Sequence, residues 1–259
     1  MTVRIVIPWR GDATDRVANL CRVISWWKLN HPTWPVVIGE WPVERGPWRK
    51  GCAVDAAGRP DDDDIVIVSD ADVVCPQVGE AVDAVAGGRV RWAVAHRMVH
   101  RLSESATSLI NGRQLDLPPR AQRISPYVDE SYVGSPGGGM VVVHGRTLIE
   151  VPIDPRFEGY GSEDHSWSLA LHRVAGAPYR GHGDLWHLRH EPQARAYAGQ
   201  SAARGIGSPN NLRLWTRYRT ATTPGAMAAL ITEARGEIRR LRHPPDPCST
   251  TSDADGTGV

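Results

Sequence analysis

The stretch Ile65–Val74 (IVIVSDADVV) constrains the fold more than any other part of the chain. Ile65 to Val68 is an unbroken β-branched run, which reads as a strand buried on both faces of a parallel sheet. The run stops abruptly at Ser69-Asp70-Ala71-Asp72. In open α/β sheets, ligands lie outside the carboxyl ends of the strands. Aspartate is depleted in strands, and a buried carboxylate without a partner is costly. Two carboxylates one residue apart at such a place therefore need a partner. A hard divalent cation, which takes oxygen ligands, is the simplest one. The alternative reading is that Asp70 and Asp72 only close the turn that follows.

At 259 residues and 28.4 kDa the chain can bury one large core, so a single α/β domain is expected. A formal net charge of +1 gives no global electrostatic reason to expect nucleic acid or a membrane surface as partner. The basic residues are almost all arginine, with Lys28 and Lys50 the only lysines. Ten tryptophans against the single Phe157 suit sugar-stacking surfaces, although several must be core. Cys21, Cys52, Cys75 and Cys248 are scattered without a CxxC pair, which argues against a disulfide framework or a cysteine zinc site. No signal-like segment opens the sequence, and no apolar run approaches the ~20 residues of a membrane span. A soluble, cytoplasmic protein without a membrane span is expected.

Along the chain, Val3–Pro8 reads as a strand and Asp15–Lys28 as a helix whose apolar face is Val17, Leu20, Cys21, Ile24 and Trp27, with Asp12 or Thr14 as N-cap. Pro35–Ile38 is a second strand, Gly39–Pro47 a loop and Trp48–Ala57 a helix. This alternation predicts a parallel sheet with helical crossovers. Val78–Ala86 follows as helix, Arg91–Ala95 as strand, and His96–Val133 as a long irregular stretch of the kind that often carries function. Gly134–Gly139 leads into the strand Met140–His144, then the short helix Thr147–Val151. Pro155–Trp167 precedes a helix over Ser166–Ala175, and a strand-like piece leads to Gly183–His190. Asn211–Tyr218 and Pro224–Leu241 are helical.

Three features then stand in order: Asp70-Ala71-Asp72, Gly159-Tyr160-Gly161-Ser162-Glu163-Asp164, and His187-Leu188-Arg189-His190. Together they resemble the GT-A fold glycosyltransferases, in particular the clan of β-1,4-galactosyltransferases, polypeptide N-acetylgalactosaminyltransferases and chondroitin-type polymerases. The likeness runs from about Val3 to Gln193. Pro8-Trp9-Arg10 is similar to the strand-end segment that holds the nucleoside in those enzymes. Asp70-Ala71-Asp72 resembles their DxD motif, which implies Asp72 as metal ligand and Asp70 on the ribose side. Gly137-Gly138-Gly139 resembles the glycine-rich approach to the donor sugar. Phe157 to Asp164 is similar to F-x-G-W-G-G-E-D, with Tyr160 in place of Trp and Ser162 in place of Gly. His187 and His190 stand where the family completes its metal site; the motif does not decide between them.

The residues support this independently. Glycines 159 and 161 permit positive φ and close backbone approach, and Tyr160 offers a ring face and a hydroxyl to a sugar. Glu163 and Asp164 open a helix, where carboxylates are favoured for capping alone. A hydroxyl acceptor attacking an anomeric carbon must lose a proton, and either carboxylate is a candidate base. Asp61–Asp64 precedes the strand, at the wrong edge for a site, and reads as a solvated loop. Arg16, Arg49 and Lys50 are candidates for diphosphate contacts, or for plain surface positions.

The resemblance implies a mixed, mostly parallel α/β sheet flanked by helices, with C-terminal helices. The expected divisions are a domain over 1–243 (1–110 nucleotide-binding half, 111–192 donor-sugar and acceptor half, 193–211 mobile loop closing over the donor, 212–243 C-terminal helices) and a disordered tail over 244–259. It also implies a nucleotide-diphospho-sugar donor, UDP as its nucleotide, Mn²⁺ or Mg²⁺ as cofactor, a hydroxyl acceptor, and inversion with Asp164 as base. The Glu-Asp pair matches the inverting galactosyltransferases, where retaining relatives carry Glu-Asn. The expected site residues are Asp164 and Glu163 for catalysis, Asp72, His187 and His190 for metal, and Pro8, Trp9, Arg10, Asp70, Ala71, Asp72, Gly138, Gly139, Tyr160 and Gly161 for the donor. A sugar-nucleotide-binding protein without transfer, or a nucleotidyltransferase on a similar sheet, are the competing readings.

Overall fold

Four largely apolar runs form the centre of the sheet, and because successive side chains point to opposite faces, each run supplies both layers of the core. In the computed structural model, which describes residues 1–11, 14–110, 137–190 and 208–242, these runs belong to β1 (Val3–Trp9), β3 (Ile65–Ser69), β5 (Trp92–Arg101) and β6 (Met140–His144). The other strands are β2 (Val36–Glu40), β4 (Val73–Val74) and β7 (Tyr179–His187). The helices are α1 (Thr14–Asn30), α2 (Lys50–Ala56), α3 (Val78–Ala86), α4 (Glu104–Leu109), α5 (Gly145–Glu150), α6 (Glu163–Ala175), α7 (Pro209–Thr220) and α8 (Pro224–Arg242).

Ile5, Ile7, Ile65, Ile67, Met140, Val142, Ala93 and Ala95 face one side, where α1 and α3 cover them with Leu20, Val23, Trp26, Trp27, Val78, Ala81 and Val85. Val6, Val66, Val68, Val141, Val143, Trp92 and Val94 face the other. There Val54 of α2, Leu148 of α5, Trp167 and Leu171 of α6, and the C-terminal helices α7 and α8 close the second layer. Both faces of β3 are therefore buried, and each such branched side chain contributes about 1.5–3 kcal/mol relative to exposure.

The seven strands lie in the order β2-β1-β3-β6-β5-β7-β4. β1 is parallel to β2 and β3, and β5 is parallel to β7, while β6 is antiparallel to both its neighbours and β4 to β7. The sheet is mixed, as expected, with β6 and β4 running against the other strands.

Four expectations need correction. The buried face of α1 is Asn19, Leu20, Val23, Trp26 and Trp27, whereas Val17 and Cys21 are exposed. The two indoles pack edge to face at 4.8 Å and rotate the helix onto that side. His96–Arg101 is not irregular: it extends β5, which pairs with β7 as far as Arg101 opposite His187. The alternation is masked there by polar residues, of which His96 and His100 are nonetheless buried. Asp64 is not solvated: it is buried, and its carboxylate accepts the backbone N–H groups of Thr2 and Asp61, each at 3.1 Å. Several tryptophans are core, as expected: Trp26, Trp27, Trp41, Trp92, Trp167 and Trp186 are buried. The expected mobile loop over 193–211 is cut short at its end, where Ser208 caps α7 and Pro209–Asn211 form its first turn. Its remainder over 193–207, the stretch 111–133, the N-cap candidate Asp12, Cys248 and the tail lie outside the described residues.

Candidate active site

The chain leaves β1 for β2 on one side and returns to β3 on the other, so strand order reverses at β1 and β3. The carboxyl ends of such a pair open the crevice in which α/β sheets bind ligands. Pro8-Trp9-Arg10 leave β1 at that edge, and Asp70-Ala71-Asp72 leave β3 beside them. Pro8 is buried, and Trp9 and Arg10 are half-buried.

Asp72 is fixed by a short ladder that the sequence did not reveal. The two residues of β4 pair antiparallel with the end of β7, Val73 opposite His187. The Leu188 N–H then donates to the Asp72 carbonyl at 2.7 Å. This brings Asp72, 6 % exposed, against His187 and His190. One ligand atom from each of the three lies within 4.8 Å of the others. His190 Nε2 is 3.3 Å from Asp72 Oδ2, and the two imidazole centroids are 5.2 Å apart. His187 Nδ1 lies 3.0 Å from the Leu188 carbonyl. A proton donated there leaves Nε2 with its lone pair, the arrangement typical of a ligating imidazole. Burial lowers the His187 pKa, with Asp72 opposing, and so favours the neutral ring. One carboxylate and two imidazoles are a donor set for a first-row divalent metal, so the residues fit the cation the motifs implied. An Arg16 guanidinium nitrogen stands 3.7 Å from Asp72 Oδ2.

The second half of the site is the first turn of α6. Gly161 has φ 117° and Ser162 φ 71°, so the chain enters the helix through the left-handed region. The Gly161 N–H donates to Glu163 Oε2 at 2.9 Å, which fixes that side chain under the turn. Gly137 packs against the same turn: a Cβ there would lie 2.0 Å from the Asp164 carbonyl oxygen, so only glycine fits. Two residues on, the Gly139 carbonyl accepts the Asp70 N–H at 2.8 Å. Residues 137–139 thus run between Asp164 and Asp70. Tyr160 is 61 % exposed, its ring presented to solvent at the rim.

Lys50 links the halves. It is buried, and its Nζ lies 2.8 Å from Asp70 Oδ1 and 2.8 Å from Asp164 Oδ1. Burial alone would lower its pKa, but Asp164, Asp70 and Glu163 outweigh it and hold the ammonium well above the ordinary value. Burial, reinforced by Asp164 and opposed by Lys50, pushes Glu163 up to about 7. Asp164 is raised by burial against the pull of Lys50.

The neighbours of Lys50 hold the approach to α6. The Trp48 carbonyl accepts the Gly159 N–H at 2.7 Å. Arg49 donates to the Pro155 carbonyl at 3.1 Å and pairs with Glu158 and Glu237, so it is a clasp on the loop. A Cβ on Gly51 would lie 2.4 Å from the Ile153 carbonyl oxygen. From the other side Asn211 of α7 holds Glu158 and Gly161. The sequence offers Lys50 as a diphosphate contact or a plain surface position, and Asn211 only as the start of a helix; the structure buries both. Asn211 carried a weak signal, an asparagine near the start of a helix, whereas Lys50 carried none, since the chain's other lysine, Lys28, is exposed.

No protein-family model and no curated protein matches the chain. Among solved structures it is similar to GalNAc-T7 with UDP, GalNAc and Mn²⁺, at 12% identity over 92% of this chain and 55% of that one, with TM-score 0.47. It is similar to a Drosophila β-1,4-galactosyltransferase 7 in complex with manganese, UDP-Gal and xylobiose, at 11% identity over 78% of this chain and 74% of that one, TM-score 0.44. It is also similar to glucosyl-3-phosphoglycerate synthase from Mycobacterium tuberculosis with Mn²⁺, UDP and glucosyl-3-phosphoglycerate, at 16% identity over 84% and 78%, TM-score 0.46. The chain spans about half the length of the first of these and about three quarters of the other two.

Proposed function

We propose that the protein is a metal-dependent glycosyltransferase that moves a sugar from a nucleotide-diphospho-sugar, with UDP as the nucleotide, to a hydroxyl acceptor with inversion. One observation carries the reading. The chain places a cation-type donor set, Asp72 with His187 and His190, at the strand end of Asp70, and ties Asp70 through Lys50 to the carboxylate Asp164. A cation site joined to a candidate base at the switch point of an α/β sheet suits transfer from a diphosphate leaving group.

In this reading Asp72, His187 and His190 hold Mn²⁺ or Mg²⁺, and imidazole ligands shift preference toward Mn²⁺. The cation supplies charge neutralisation for the departing diphosphate. Pro8, Trp9 and Arg10 face the nucleoside, with Asp70 and Ala71 on its ribose side. The backbone at Gly138, Gly139 and Gly161 and the Tyr160 ring receive the sugar. Asp164 takes the acceptor's hydroxyl proton as its oxygen bonds the anomeric carbon and the bond to the diphosphate breaks on the opposite face. Glu163, bound by the Gly161 N–H, shapes the turn that aims Asp164.

The test is incubation with a panel of sugar nucleotides and Mn²⁺. Release of the nucleoside diphosphate is expected. Release of pyrophosphate would indicate a nucleotidyltransferase, and binding without turnover across acceptors a sugar-nucleotide-binding protein. Product NMR that shows the donor's anomeric configuration retained would overturn inversion.

A further inference from the structure

A buried ammonium needs a reason. Lys50 is 7 % exposed, and an apolar side chain of similar length would fill its place without the desolvation cost of an ion. The packing work in this segment falls to its neighbours: Trp48, Arg49 and Gly51 each hold a separate point between Ile153 and Gly159. Lys50 alone reaches the acidic residues, Asp70 from the end of β3 and Asp164 from the first turn of α6.

We propose that Lys50 is the positioning residue of the base: from the start of α2 its ammonium holds Asp164 ionised and aims it by one oxygen, while it is anchored to Asp70 at the strand end that carries the cation side of the site. This rests on the glycosyl-transfer reading. Asp164 is faced by Lys50 from α2, by Asp70 from the end of β3, by Tyr160 from the loop before α6, and by Glu163 and His165 on its own helix. Among these Asp70 and Glu163 are acidic, and they disfavour a further negative charge. Lys50 is the group that donates to Asp164 Oδ1, at 2.8 Å, which leaves Oδ2 to accept the acceptor's proton. Lys50 neither gains nor loses a proton in the step. The acceptor proton passes to Asp164, the new carbon–oxygen bond forms, and the electron pair of the broken bond leaves with the diphosphate.

The chain's two lysines make this testable without a substrate. Protein labelled with ¹⁵N at lysine Nζ gives at most two side-chain signals, and Lys28→Arg shows which belongs to Lys50. The Lys50 ammonium should remain visible at neutral pH, where an exposed ammonium exchanges too fast, and its shift should change in Asp164→Asn. A Lys50 signal that exchanges like that of Lys28 and ignores Asp164→Asn overturns the proposal. It does so without a donor, so this failure is separate from failure of the glycosyl-transfer reading. With a sugar nucleotide that is turned over, Lys50→Met should move the acid limb of the pH–turnover profile upward by about one to three units, the effect of an opposite charge at this range. Lys50→Arg keeps the charge but not the point geometry, so it should lower kcat with the limb in place. Loss of turnover in Lys50→Met with an unshifted limb would mean that Lys50 only packs, and would also overturn the proposal. If Lys50→Met does not fold, the spectra of the wild-type protein and Asp164→Asn decide alone.

Discussion

The side-chain amide of Asn211 pairs with both backbone groups of Glu158, 53 residues away: its oxygen accepts the Glu158 N–H at 3.0 Å and its nitrogen donates to the Glu158 carbonyl at 2.9 Å. The same nitrogen donates to the Gly161 carbonyl at 3.1 Å. The residue has no exposed surface, so water cannot replace these bonds. α7 is held in register for this by Ser208, whose hydroxyl accepts the Asn211 N–H at 3.2 Å as N-cap.

Asn211→Ala should therefore be severe. Three bonds at about 0.5–1.5 kcal/mol each, with buried carbonyls left unpaired, give a loss of about 2–4 kcal/mol. Urea unfolding measures it. Asn211→Asp keeps the shape and the acceptor but cannot donate to the two carbonyls, and should cost at least as much. A loss below about 0.5 kcal/mol in the alanine variant would show that the 158–161 loop holds itself.

Ser162 carries a left-handed backbone, φ 71°, at the entrance to α6, and its side chain makes no capping bond there. The left-handed conformation costs a non-glycine residue about 1–2 kcal/mol. Glycine relieves this but gives back about 0.4–1 kcal/mol through a freer unfolded chain. Ser162→Gly should thus gain up to about 1.6 kcal/mol, read as a higher unfolding midpoint in urea at unchanged slope. A clear destabilisation would mean that the serine hydroxyl has a role the strain conceals.

What the sequence made legible was whatever depends on one strand or one helix. The run Ile65–Val68 ending in Asp70-Ala71-Asp72 placed β3 and the edge of the crevice, and α3 and β6 begin and end where periodicity put them. Residues meeting across long separations were the blind spot. Lys50 reaches Asp164 over 114 positions, and nothing local to WRKG distinguishes a buried ammonium from a surface one. β4 has two residues, too few for any periodicity, yet it sets Asp72 beside His187. The continuation of β5 through His96 and His100 was hidden because buried imidazoles break the apolar pattern of a strand.

Stability should depend on pH through Glu163, whose folded-state pKa is about 7 against an ordinary 4.5. Between these values the folded state binds more protons than the unfolded chain, so this group's contribution falls as pH rises from about 4.5 to 7. Asp164, also raised by burial, acts with the same sign. Lys50, with its pKa raised, contributes a constant amount below its unfolded value of about 10.4 and does not enter this window. His96, pushed down to about 4 by burial and Arg180, acts with the opposite sign. The difference between wild type and Glu163→Gln isolates the carboxylate. The variant should gain stability relative to wild type from pH 5 to pH 7, by denaturant unfolding at each pH. A difference that stays flat would mean that Glu163 titrates as an exposed carboxylate.

The cation site makes the sharpest demand, because its three side chains play unequal parts. Asp72 is the buried carboxylate, already approached by Arg16 at 3.7 Å and by His190 at 3.3 Å. Removing it leaves two imidazoles and no anionic ligand. Asp72→Ala should therefore abolish the metal dependence of UDP binding, measured by calorimetry with and without Mn²⁺. His187 is oriented by the Leu188 carbonyl at Nδ1, whereas His190 meets Asp72 through Nε2 itself. Loss of an outer contact typically costs about 10–100-fold in metal affinity, so His187→Ala and His190→Ala, as ligand losses, should each cost at least that for Mn²⁺. Both should also narrow the preference for Mn²⁺ over Mg²⁺, since that preference comes from imidazole. A histidine variant with unchanged Mn²⁺ affinity would remove that residue from the shell. UDP binding by the wild-type protein that is undiminished in EDTA would remove the cation from the mechanism.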